Sequence, residues 1–158
     1  MTPDTQPARA ANEVSPLTGS SYPEPFRSAV AKRAKRALGQ LFGLDAFGVN
    51  LVELPPGACS SQRHWHTHED EFVYVLDGEI TLITDRGETV MKSGDCAGFK
   101  AGVANGHQLR NNSEAMARYM EVGSRHSNDE VFYPDIDLEL RRTDKGHREF
   151  RHRDGAPW

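Results

Sequence analysis

From Ala46 to Val122 the chain alternates short apolar runs with turn signals at intervals of about eight to twelve residues, the pattern of an all-β sandwich or barrel. Ala46 to Leu54 reads as a strand stopped by Pro55-Pro56-Gly57. Glu71 to Leu76 reads as a second, closed by Asp77-Gly78, a strong hairpin turn. Glu79 to Thr84 returns, Asp85-Arg86-Gly87 turns again, and Glu88 to Met91 pairs back. Shorter strands are expected from Ser93-Gly94-Asp95 through Phe99, from His107 to Arg110, and from Ala115 to Val122. Ile136 to Arg142 and His147 to Arg151, around Asp144-Lys145-Gly146, read as a terminal hairpin.

Successive strand residues point to opposite faces. In the strand from Glu71, residues Glu71, Val73 and Val75 share one face, and Phe72, Tyr74 and Leu76 share the other. Both faces are apolar beyond Glu71, so burial on both sides is expected, with a covering segment or a homodimer interface on the outside. Upstream, Val30, Ala34 and Leu38 recur at i, i+4 and i+8, which suits one short helix ending at Gly39, with an extended edge segment as the alternative. The basic run Arg27, Lys32, Arg33, Lys35 and Arg36 is read as a solvated face.

The 158 residues suffice for one ordinary domain. Three parts are expected: residues 1–25 as a flexible or surface-hugging arm rich in Pro, 26–126 as the barrel, and 127–158 as an extension packed on the barrel or on a partner subunit. Lys plus Arg is 19 against 23 Asp plus Glu, so the net charge is −4, which argues against a bulk nucleic-acid binder. With 2 Cys, Cys59 and Cys96, a disulfide scaffold is excluded. No apolar run reaches membrane-spanning or signal-peptide length, so a cytoplasmic protein without membrane contact is expected.

The 7 His are more than a plain core needs, and three of them fall in the segment RHWHTHEDEFVYVLDGE (63–79). On a strand, His64, His66 and His68 point the same way, and neighbouring neutral imidazoles suit a divalent transition metal. Glu69, Asp70 and Glu71 are near enough to supply a compensating carboxylate. Glu71 has the wrong parity and joins the histidines only if a turn or bulge between Thr67 and Asp70 resets the face. The spacing is not that of the helical HExxH zinc motif.

His64-x-His66-x4-Glu71-x6-Gly78 resembles the first signature of the cupins, with Gly57 one residue further upstream than usual. GDCAGFKAGVANGHQLRN (94–111) resembles their second signature through Gly94, Gly102 and the pair His107-x3-Asn111. Two departures stand out: Lys100 replaces the expected Pro, and Asn105 occupies the usual His position, with His107 two residues later. The resemblance implies a double-stranded β-helix, the jelly-roll barrel, here with an extended N-terminal arm and a C-terminal hairpin. It implies His64, His66, Glu71 and His107 as ligands of one divalent metal ion (Zn, Fe, Mn or Ni) and a homodimer. It looks most like small bacterial single-cupin proteins without an assigned reaction.

Around that centre, Gln62, His68, Gln108 and Tyr119 are candidates for the pocket, and Lys100, Arg110 and Arg118 for holding a carboxylate. Four protein ligands leave an octahedral ion two open positions. That suits a dioxygenase, decarboxylase, isomerase or lyase acting on a small oxygen-rich acid or sugar. The alternative is a non-catalytic sensor or carrier that binds metal and a small molecule.

Overall fold

The computed structural model describes residues 8–158. Residues 1–7 of the expected arm lie outside it. Thirteen strands dominate: β1 (Leu17–Thr18), β2 (Ala34–Ala37), β3 (Phe47–Leu54), β4 (Trp65–His66), β5 (Glu71–Asp77), β6 (Glu79–Thr84), β7 (Gly87–Lys92), β8 (Cys96–Phe99), β9 (Gln108–Arg110), β10 (Ala117–Ser124), β11 (Val131–Tyr133), β12 (Leu138–Arg142) and β13 (Arg148–Arg151). They form a six-stranded sheet in the order β1-β2-β3-β10-β5-β8, a four-stranded sheet β13-β12-β11-β4 and a three-stranded sheet β7-β6-β9. This is the β-rich jelly-roll barrel that the paired motifs imply.

The main core lies between the first and third sheets, where Val52, Leu54, Val73, Val75 and Tyr119 meet Ile80, Met91 and Leu109. The Asp77-Gly78 turn joins the two walls. Gly78 has φ +78°, and a Cβ there would stand 2.7 Å from the Met116 carbonyl oxygen, so only glycine fits. A second core joins the two ends of the chain: Tyr22 and Val30 pack on Val131, Tyr133 and Leu138 of the C-terminal sheet. Arg63 adds a polar tie, donating from Nε and Nη2 to the Asp135 carboxylate, each at 2.7 Å.

Two expectations are narrowed to one of their alternatives. The stretch after Arg27 is the extended edge segment and not one helix: a 3-10 turn at Ser28–Val30 gives way to β2, and helix α1 spans only Leu38–Leu41. A single helical turn is marginal alone, whereas β2 satisfies its backbone along the open edge of β3. The outer face of β5 has no covering segment among the described residues: Phe72, Tyr74 and Leu76 are about 40% exposed, which leaves the homodimer interface as the alternative for that face. Their inward neighbours Val73 and Val75 are buried as expected.

Candidate metal centre

The parity problem in the histidine segment is solved by a break in the strand. His66 ends β4, the chain leaves strand geometry over 67–70, and Glu71 opens β5 in a different sheet. The break is pinned by Asp129, which is wholly buried and accepts from the backbone N–H groups of His68 and Glu69 at 3.0 and 3.2 Å. His107 reaches the same place through an isolated bridge with His64, in which each N–H donates to the other's carbonyl oxygen at 3.1 and 2.8 Å. Directly opposed residues project side by side, and the two imidazoles lie 4.6 Å apart, centre to centre.

Four side chains converge at this point. Glu71 Oε2 lies 3.6 Å from His64 Nε2, 3.5 Å from His66 Nε2 and 2.7 Å from His107 Nε2. That oxygen is buried and no hydrogen bond of good geometry reaches it. The far nitrogens of two rings are engaged. His64 Nδ1 sits 2.9 Å from the Gln62 carbonyl oxygen, and His66 Nδ1 sits 2.7 Å from Asp129 Oδ2. Those acceptors call for N–H at Nδ1 and leave Nε2 with a free lone pair, the arrangement a metal-binding imidazole needs. The Phe99 ring lies flat on His107, centroids 3.6 Å apart, and fixes its plane. His64, His66 and Glu71 meet the geometry of a metal cluster, as do His66, Glu69 and Asp129.

Electrostatics follow the same grouping. Burial opposes ionisation of Glu71, yet the imidazoles of His107 and His64 outweigh it and hold its carboxyl well below the usual range. Burial pushes His107 down, only partly offset by Glu71, so it is neutral at physiological pH. Burial also works against the charged form of His66, but the bond to Asp129 prevails and raises it. Asp129 is lowered: burial opposes ionisation, and His66 with the backbone N–H of His68 overcomes that. Arg148 closes the set, Nη2 standing 2.6 Å from Asp129 Oδ2.

The cluster lines a cavity of about 430 Å³ and a second of about 220 Å³, with His66, Glu69, Glu71, Phe99 and His107 common to both. The larger is floored by inward residues of β3 and β10, where Gly48 and Gly123 lie directly opposite and contribute no side chain. Charged groups ring it: Arg33, Lys35 and Arg125 against Glu69, Glu71 and Glu121.

The other sequence candidates fall in varied places. Tyr119 lines the larger cavity, wholly buried, and burial pushes its hydroxyl well above the ordinary tyrosine value. Gln62 and Gln108 do not face it: their amides donate to the carbonyls of Phe26 and Ser61 at 3.0 and 2.6 Å. His68 is exposed and stacks on His126, also outside the cavity. Arg118 pairs with Glu53 and Asp77 instead, Arg110 lines neither cavity, and Lys100 lines the smaller one. Asn105 accepts from the Asp85 N–H and His107 is the one that meets Glu71. Sequence reasoning missed Asp129, which nothing in its neighbours marks. It also missed Arg33 and Lys35, read as a solvated face; their alternation on an edge strand was the available signal.

The cupin domain family matches residues 50–123. No curated protein matches the sequence. A sugar phosphate isomerase of the cupin superfamily from Silicibacter pomeroyi DSS-3 is 41% identical, with 96% of each chain covered and a TM-score of 0.91. A candidate sugar phosphate isomerase from Acidithiobacillus ferrooxidans ATCC 23270 is 29% identical over 80% of each chain, TM-score 0.72. A predicted oxalate decarboxylase from Thermotoga maritima shares the fold at 20% identity, covering 75% of this chain and 99% of its own, TM-score 0.61.

Proposed function

Because this chain belongs to the cupin superfamily, we propose that it holds one divalent metal ion on His64, His66, Glu71 and His107 and isomerises a small phosphorylated sugar. The observation that carries the metal reading is Glu71 Oε2, a buried carboxylate oxygen that no hydrogen bond of good geometry reaches among the described residues, faced by three imidazole nitrogens. Three imidazoles and a carboxylate suit Zn, Fe, Mn or Ni. When bound, such an ion is a Lewis acid for a carbonyl oxygen.

The substrate class rests on the 41% identical Silicibacter pomeroyi protein and on the cavity. Its volume of about 430 Å³ lies toward the small end of ligand sites, and its charged walls suit a polyhydroxylated anion. Aldose–ketose isomerisation removes a proton from one carbon and returns one to its neighbour, without net oxidation. Of the cavity carboxylates outside the cluster, Glu121 is held by Lys35 at 2.7 Å and Asn50 at 3.0 Å. Glu69 lines both cavities beside His66; its Oε1 accepts from the His126 N–H at 3.0 Å, no cation among the described residues holds it as Lys35 holds Glu121, and it is the group we assign to carry that proton through Oε2. The half-exposed outer face of β5 supports a homodimer, and the free thiols of Cys59 and Cys96 accord with a cytoplasmic location.

The test is incubation of metal-loaded protein with a panel of aldose and ketose phosphates in D2O, followed by NMR. Conversion with deuterium at the carbon beside the carbonyl is expected. No conversion across the panel contradicts the isomerase reading, and a thermal shift without product identifies the non-catalytic binder.

A further inference from the structure

Two hydrogen-bond donors in the wall of the larger cavity are buried without an acceptor of good geometry among the described residues: the Tyr119 hydroxyl, which lies beside Ser60, and Arg33 Nε. A buried polar group without a partner is rare and destabilising, so two beside one cavity point to an acceptor that arrives with a ligand. The strand register explains their convergence. Lys35 of β2 lies opposite Val52 of β3, which lies opposite Tyr119 of β10, and Arg33, just before β2 and two residues before Lys35, lines the same cavity.

The protein cannot supply the missing acceptor from its own carboxylates. Glu121 is taken by Lys35 and Asn50, and Glu71 faces the imidazoles. Among the described residues, Arg33 donates from Nη1 to the Ser60 carbonyl oxygen. The Arg125 guanidinium, which also lines the cavity, hangs over Gly48, its Nη2 3.7 Å from where a Cβ would stand.

We propose that Tyr119 and Arg33 form an oxyanion subsite beside the His/Glu cluster, holding the phosphate or carboxylate group of the ligand, with Arg125 drawing that charge in. It deepens the functional reading by naming the residues for the anionic end, and it depends on the cavity being the ligand site, not on isomerisation. An oxyanion offers several lone pairs to both donors at once, and guanidinium to phosphate or carboxylate is among the stronger pairings.

The experiment titrates inorganic phosphate, and separately acetate, into the full chain after metal removal, so that anion binding to metal is excluded. Tyr119→Phe removes only the unpartnered O–H. Its melting temperature should hold or rise without ligand, while the phosphate Kd weakens about tenfold or more. Arg33→Met should weaken it further, and phosphate against acetate decides which oxyanion is preferred. Unchanged phosphate affinity in both variants overturns the proposal. So does phosphate binding that exists only when metal is present. Weakened binding in a protein that turns over no sugar phosphate would keep the subsite and remove the isomerase. Turnover with unchanged variants would do the reverse.

Discussion

Asp129 is the residue whose removal reads out the architecture of the site most fully. It is wholly buried, and four donors meet its two oxygens: His66 Nδ1 at 2.7 Å, Arg148 Nη2 at 2.6 Å, and the N–H groups of His68 and Glu69 at 3.0 and 3.2 Å. Asp129→Ala leaves all four without an acceptor. Arg148 is partly exposed and can turn to water, so its loss counts for little. The two backbone donors and His66 remain, and breaking such a buried charged contact costs about 3–5 kcal/mol. At about 2–4 °C per kcal/mol for a domain of this size, the melting temperature should fall by about 6–20 °C. Asp129→Asn keeps an acceptor for the backbone and should lose roughly half as much. Metal affinity should drop about 10- to 100-fold in both variants, because His66 is no longer held in its Nδ1–H form. Thermal denaturation of metal-free protein measures the first effect, and competition with a metal-binding dye measures the second. A loss under about 1 kcal/mol together with unchanged metal affinity would refute the reasoning.

Chelation should lower the melting temperature of metal-loaded protein, since at a hundred times Kd a ligand stabilises by about 2.7 kcal/mol. Glu71 and Asp129 both have folded pKa values depressed below unfolded values of about 4.3 and 3.9, so their contribution is full above those values. It drains as pH falls toward the folded values, and acid unfolding of metal-free wild type against Asp129→Asn should show a smaller pH dependence in the variant. Gly78→Ala should cost more than about 1 kcal/mol in chemical denaturation, because the Cβ meets a carbonyl oxygen at 2.7 Å in a left-handed turn. Gly123→Ala should fold normally, its Cβ finding 3.5 Å to the Asp70 carbonyl oxygen, whereas Gly123→Leu should fill the cavity floor and weaken ligand binding.

The positions of the barrel strands along the chain and the histidine face were legible because both depend on local alternation and on turns such as Asp77-Gly78. The meeting of Glu71 with His64 and His66 could be stated only as a condition, a reset between Thr67 and Asp70. The residue that enforces the reset, Asp129, is 60 residues away, and its role is a matter of tertiary packing. The choice between helix and edge segment around Arg33 and Lys35 stayed open for a related reason. Helical spacing of Val30, Ala34 and Leu38 is a local signal, and the open edge of β3 overrode it. Tyr119 was a candidate by type, but its unpartnered hydroxyl becomes visible only once the neighbouring strands close around it.

The central claim is that His64, His66, Glu71 and His107 together hold a metal ion. Elemental analysis of untagged protein reconstituted with Fe, Mn, Ni or Zn and freed of excess tests it most directly, alongside Glu71→Gln, which keeps the shape and removes the charge. One ion per wild-type chain and almost none in the variant is the expected result. Wild type without metal, or a variant that retains it fully, would contradict the claim.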